Sequence, residues 1–391
     1  MSRSFIHKRR TLAVAAGALA VGLLGWTAAG AAKPFKIGVL MPMSGGGASY
    51  GVPAVDGVKL AIQEINAAGG VNGAPVEFVV RDSKLKPSVA VAAAKELITK
   101  EGVDVLLGAI SSGVTLAISE VAKQEHVVLF APVAKTTKLT SDKLHKYVFQ
   151  GSANSDVEAS AIAKVTKKIG ARKICATGFD YAYSHDLFAA LKRALPKGVK
   201  ISNSFLVKLG TTDYNALTSQ LIASDCDTVV GVIWGGGFIS FIKQATPFGL
   251  FKKKKFIWGA EVGSTEMAGK LGANFPNGMW ANAYDLWYYN PTPQIKAYHK
   301  ALAKLEGTRE TYMWPITTYI GVKFLAAAAN KAGSSNADAL VTALEGLTID
   351  TPFGARTLDA KTHRANTGEL WGSFGVLKGK SPRMNSITYV D

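Results

Sequence analysis

From Phe35 onward the chain alternates short apolar runs with longer segments whose apolar residues recur at helical spacing. The runs FKIGVLM (35–41), VEFVVRD (76–82), VDVLLGA (103–109) and HVVLFA (126–131) are rich in Val, Ile and Leu and read as strands. Between them Val55, Val58, Ile62 and Ile65, and later Val114, Ala117, Ile118 and Val121, share one helical face. Strands that are apolar throughout, alternating with helices, imply parallel sheets covered on both faces. The alternation restarts with RKICATG (172–178), VKISNSFLVK (199–208), DTVVGVIW (227–234) and KFIWGA (255–260), with helical patterns near 155–169, 184–194, 213–223 and 237–248. After GMWANAY (278–284) come two or three helices to about 346, then a short strandlike tail. The expected fold class is α/β, with two doubly wound parallel-sheet lobes. Periodicity alone assigns the last helices to neither lobe.

Open parallel sheets place ligand sites outside the carboxyl ends of their strands, where loops lead into helix N-termini. Ser111 and Ser112, in LLGAISSGVTLA (106–117), occupy such a place. One serine is explained by an ordinary N-cap. Two hydroxyls beside free N–H groups at the positive end of a helix dipole also suit a carboxylate. The loop PMSGGGASYG (42–51) after the first strand adds glycines that allow close backbone approach, and Tyr50 as a wall. It lacks the Gly-Lys-Ser/Thr of a phosphate-binding loop and the spacing of a dinucleotide fingerprint.

The first 32 residues differ in kind. Lys8, Arg9 and Arg10 precede an apolar stretch from Leu12 to Leu24 and the small residues Ala29-Gly30-Ala31-Ala32. This is the pattern of a cleaved secretory signal peptide, and Arg9-Arg10 leaves twin-arginine export open beside the general route. The mature chain is expected to be soluble and exported. Its charge is strongly basic: +17 overall, of which four cations fall in the leader, leaving +13. No basic stripe interleaved with aromatics accompanies that charge, so nucleic acid is not an expected partner, and Lys252 to Lys255 read as a solvated turn. Cys175 falls inside one predicted strand and Cys226 just before another; so staggered, they are expected to be separate buried thiols. No His, Cys or Asp cluster has metal-ligand spacing, and no cofactor is expected. A hydrolase built on Ser111 would need a base, and no histidine lies in a recognisable nucleophile motif.

The segments IGVLMPMSGGGASYG and DGVKLAIQEINAAGGVNGAPVEFVVRDSK closely resemble the opening of the leucine/isoleucine/valine-binding family, the type I periplasmic solute-binding proteins of ABC importers. Similarity continues through LLGAISSGVTLA, APVAKTTKLT, WGAEVGS and TPFGARTLDAKTHRAN. The resemblance implies two lobes joined by three crossovers, near 150–153, 280–284 and 352–357, with residues 33–150 plus 284–354 in lobe 1 and 151–283 plus 355–391 in lobe 2. It implies a monomeric binder of a branched-chain or related amino acid that serves an inner-membrane ABC permease. A sensor module for a receptor would use the same fold.

Carried over by position, Ser111 and Ser112 would hold the ligand carboxylate with backbone at Val133 and Ala134. Glu261 would pair with the α-ammonium, and Tyr50, Tyr183 and Trp234 would form ring walls; Phe179 and Tyr181 are further pocket candidates that match no family position. Lys135 departs from the family pattern, standing where a small hydroxyl residue is common. Pointing inward, its ammonium would bind a second carboxylate or hydroxyl, or compete with an ammonium ligand for Glu261; pointing outward, it would change nothing. Aromatic acids and other small carboxylates therefore stay open as ligands.

Overall fold

In the first strand, β1 (Phe35–Met41), Phe35, Ile37, Val39 and Met41 join one apolar cluster and Leu40 joins a second on the opposite face. Burial on both faces is what a strand inside a covered parallel sheet requires. The computed structural model describes residues 33–375 and 382–391, so the predicted leader, residues 1–32, lies outside the described residues.

β1 is followed by α1 (Ala48–Ala67), β2 (Val76–Asp82), α2 (Pro87–Thr99), β3 (Val105–Gly108), α3 (Ser112–Gln124), β4 (Val128–Ala131) and β5 (Val148–Gln150). The five strands form one parallel sheet in the order β2-β1-β3-β4-β5. Ala94 and Leu97 of α2 and Val114 and Ile118 of α3 pack on Leu106 and Leu129 on one face.

The second sheet starts after α4 (Ser155–Ile169) with β6 (Lys173–Phe179), α5 (Ala182–Ala194), β7 (Lys200–Val207), α6 (Asn215–Ala223) and β8 (Thr228–Val232). It continues with α7 (Gly235–Ala245), α8 (Leu250–Lys253), β9 (Lys255–Trp258), α9 (Thr265–Leu271) and β10 (Trp280–Ala283). Then come α10 (Pro293–Glu306), α11 (Pro315–Ala332), α12 (Ala337–Leu344), the hairpin β11 (Thr348–Thr351) and β12 (Gly354–Thr357), and finally β13 (Glu369–Gly375) and β14 (Arg383–Val390). The three late helices join the first sheet: α11 packs along α1 and over β3 and β4. The crossing with α1 needs Gly57, where a Cβ would stand 1.9 Å from the Pro315 carbonyl oxygen.

Two expectations need correction. The second sheet, ordered β14-β13-β10-β9-β8-β6-β7, is parallel only from β10 to β7, because β13 runs antiparallel to β10 and to β14. The tail reaches the sheet edge as consecutive antiparallel strands, which need no helical crossover and so leave no helix-period signal between them. The cysteines are not separate thiols: Cys175 and Cys226 form a disulfide with Cα atoms 5.6 Å apart. A position inside one strand and a position just before another need not be far apart. In fact β6 and β8 are neighbours, and the Asp227 N–H donates to the Lys173 carbonyl, drawing the segment before β8 back beside β6. The bridge closes a loop of 51 residues. Replacing both cysteines by serine is expected to lower stability by about 2–4 kcal/mol in chemical denaturation; an unchanged midpoint would show that the bridge constrains nothing.

Candidate functional site

At the carboxyl end of β3 the chain turns through Ala109 and Ile110 into Ser111, the N-cap of α3. The turn is braced by Thr115, whose N–H and hydroxyl both donate to the Ser111 carbonyl at 2.9 Å, while the Ala109 N–H donates to the Thr115 hydroxyl. The Ser111 side chain makes no capping bond. Ser111 and Ser112, both nearly buried, instead line a cavity together with the open N-terminus of α3. A helix N-terminus with hydroxyls facing a cavity is suited to a carboxylate.

Tyr50, Ile110, Val133, Lys135, Tyr181, Tyr183, Trp234, Ala260, Glu261 and Trp314 complete the wall. Tyr50, on α1, accepts the Gly235 N–H of α7 with its hydroxyl, and its ring stands 4.3 Å from that of Trp314 and 5.8 Å from that of Trp234. Trp234 donates its indole N–H to the Tyr181 hydroxyl at 3.0 Å. Val133 contributes directly, but Ala134 does not line the cavity: its carbonyl accepts from Gln150 Nε2 and Ser152 Oγ. Of the two backbone positions expected to receive the carboxylate, the cavity wall includes Val133 and not Ala134. Phe179 likewise sits behind the wall, edge-on to Trp234 at 5.6 Å.

Lys135 points inward. Its backbone carbonyl is held by the Ser155 N–H at 2.8 Å, and its ammonium meets three carboxylates: Glu158 at 3.2 Å, Glu261 and Glu369. Glu261, the one acid the family resemblance supplies here, is one of three. Their carboxylate oxygens lie within 4.8 Å of one another, close enough to hold a cation, and the cation in contact with all three is the lysine's own ammonium. Asn282 stitches the cluster together, accepting the Glu261 N–H at 2.8 Å and donating to the Glu261 and Glu369 carboxylates. Tyr183 donates its hydroxyl to Glu158 at 2.8 Å, and the Ala260 N–H adds a bond at 3.0 Å.

The loop carrying Glu261 is shaped by this cluster. Ala260 and Glu261 both take left-handed backbone angles, φ +60° and +55°, which non-glycine residues adopt at a cost of order 1–3 kcal/mol each. Gly259 before them leaves room for Glu158, whose Oε1 would lie 2.0 Å from a Cβ there. Burial raises the Glu261 carboxyl to about 8, with Lys135 opposing and the two other acids reinforcing the rise. Glu369 is raised for the same reason. Burial alone would lower Lys135, but its three acidic neighbours hold it well above the usual lysine value. Burial also pushes the hydroxyls of Tyr50, Tyr181 and Tyr183 up, so all three are neutral donors and acceptors.

Glu158, Glu369 and Trp314 were missed in the sequence. Glu158 lies on α4 beside Ala159, and Glu369 heads a strand, positions where an acid ordinarily faces water. Trp314 carried one weak signal, its place before the proline that opens α11. The histidines of the described residues are engaged away from Ser111: His126 against the Tyr147 ring, His145 on Ser119, His185 on Asp180, His299 on Asp285 and His363 on the Val148 carbonyl.

A family model described as periplasmic binding protein matches residues 34–371. A leucine-, isoleucine-, valine-, threonine- and alanine-binding protein of Pseudomonas aeruginosa is 26% identical over 85% of this chain and 87% of its own. In structure, a solute-binding protein of an ABC transporter from Rhodopseudomonas palustris, in complex with p-hydroxybenzoic acid, superposes with a TM-score of 0.83 at 24% identity, over 92% of this chain and 98% of that one. A branched-chain amino acid transporter substrate-binding protein from Streptococcus pneumoniae, in complex with isoleucine, gives 0.79 at 23% identity, over 91% and 100%. At these identities the structural matches speak for the fold alone.

Proposed function

The chain belongs to the periplasmic binding protein family, and from that premise we propose that it captures a small α-amino acid, branched-chain or related, for an ABC importer. The observation that carries this reading is the sharing of one cavity by Ser111, Ser112 and the α3 N-terminus from the first sheet and Glu261 from the second. The ligand carboxylate takes the hydroxyls and N–H groups, and the ammonium takes Glu261. One ammonium faces three acids there, so the cluster has room for a second cation. Contact with both sides favours the closed form over the open one.

Lobe 1 comprises residues 33–150 plus 284–354 and lobe 2 residues 151–283 plus 355–391; the packing of α11 on α1 and the addition of β13 and β14 to the second sheet support this division. The protein works as an exported monomer, freed of residues 1–32, and delivers its ligand to an inner-membrane permease. One observation favours a second reading. Lys135 already contacts Glu261, and five aromatic rings line the cavity, an arrangement that also suits an aromatic carboxylate without an amine. Calorimetry with L-leucine, L-phenylalanine and 4-hydroxybenzoate separates the two. Saturable one-to-one binding of an amino acid supports the first; binding of the benzoate alone replaces it with the second.

A further inference from the structure

Three buried carboxylates converge on a single ammonium. The side chains of Glu158 and Glu369 are fully buried, and those of Lys135 and Glu261 are only 5% and 6% exposed. Such a group cannot hold three ionised acids against one cation without a large desolvation and repulsion penalty, so one acid keeps a proton. Only Glu261 of the three also lines the cavity.

We propose that Glu158 and Glu369, with Lys135, are specificity-determining residues: they make Glu261 hold a proton in the empty cleft, and an arriving ligand ammonium displaces it. This rests on the amino-acid reading above. The exchange balances: the protonated carboxyl gives one proton to solvent and becomes a carboxylate, and the ammonium supplies the positive charge in its place. No bond to carbon changes. A ligand without an amine has nothing to offer in exchange, so the site distinguishes ligands by charge as well as by shape.

The groups facing Glu261 are Lys135 from the loop after β4, Glu158 from α4, Glu369 from β13 and Tyr284 after β10, with Tyr50, Tyr181 and Tyr183 further round. The lysine and the tyrosines stay in one charge state near neutrality. Glu261, raised to about 8, titrates there. A second buried acid, Glu266, is raised by burial to about 7, but its carboxylate is held by the Met313 N–H.

The test is titration calorimetry of the exported chain with L-leucine and L-phenylalanine at pH 7, in phosphate and in Tris, whose ionisation heats differ. Release of about 0.9 proton per bound ligand is expected from a group near 8. Affinity should rise up to about tenfold per pH unit between pH 6 and 8, then level off. In Glu369→Gln, which removes one like charge, release should fall and the pH profile flatten while binding persists; Glu158→Gln serves if that variant does not fold. Glu266→Gln should leave release intact. Amino-acid binding with no proton release in the wild-type chain, or release abolished by Glu266→Gln, overturns the proposal while leaving the proposed function standing. Failure of both amino acids to bind, with the benzoate bound, removes the amino-acid reading and this proposal with it.

Discussion

Replacing Lys135 by methionine is expected to destabilise the folded chain by about 3–5 kcal/mol at pH 8 and by much less at pH 5. Methionine keeps most of the stem volume but removes the one ammonium that Glu158, Glu261 and Glu369 share. At pH 8 the acids must either stay charged and unpaired in a buried site or take up protons against the pH. The sign follows from the direction of the shifts. Glu261 moves up from 4.5 to about 8 in the folded chain and Glu369 also moves up, so the folded state binds protons that the unfolded state releases. Stability tied to these acids is therefore full below 4.5 and is lost as pH rises towards 8. Without Lys135, which opposes both shifts, the loss steepens. Urea denaturation of both proteins at pH 5 and pH 8 measures it; an equal loss at both would mean that only the packing of the stem matters.

The second large effect concerns the ligand. Glu261→Ala is expected to cost about 2–5 kcal/mol of affinity for an α-amino acid, because the bound ammonium loses its partner on the second-sheet side while staying buried. That is roughly 30-fold to several thousand-fold in dissociation constant. Ser111→Ala should cost less, about 1–3 kcal/mol, since the N–H groups at the start of α3 still receive the carboxylate. The order of these two effects matters as much as their size: it says the acid is the harder contact to replace. Calorimetry showing unchanged amino-acid affinity in Glu261→Ala removes Glu261 from the role given to it.

Much of the fold could be read from the chain because its inner strands are buried on both faces and its helices on one. FKIGVLM and VEFVVRD match β1 and β2 residue for residue, and the pattern near 155–169 matches α4. What escaped lies at edges. β5 has three residues and the β11–β12 hairpin four a side, too short for periodicity to register. Apart from Val133, Lys135, Tyr183, Trp234 and Glu261, which the family resemblance supplied, the site was legible only where local chain geometry makes it. Ser111 and Ser112 stand where a strand turns into a helix, and the glycine-rich loop before Tyr50 announces itself. Glu158 and Glu369 are 211 residues apart in sequence, and each became buried only because Lys135 and Asn282 meet it there. No local pattern encodes that meeting. The orientation of Lys135 is the same kind of fact, and it changes a lone acid into a charged cluster with its own proton chemistry.

The central claim is that one small guest spans the cleft, its negative end at the start of α3 and its positive end at the acid cluster. A crystal structure of the chain grown with L-leucine tests it most directly. The account predicts density in the Tyr50–Trp234 cavity, with the carboxylate within hydrogen-bond distance of Ser111 and Ser112 and the ammonium against Glu261. Leucine lying elsewhere, or turned end for end with its ammonium at the serines, would contradict it.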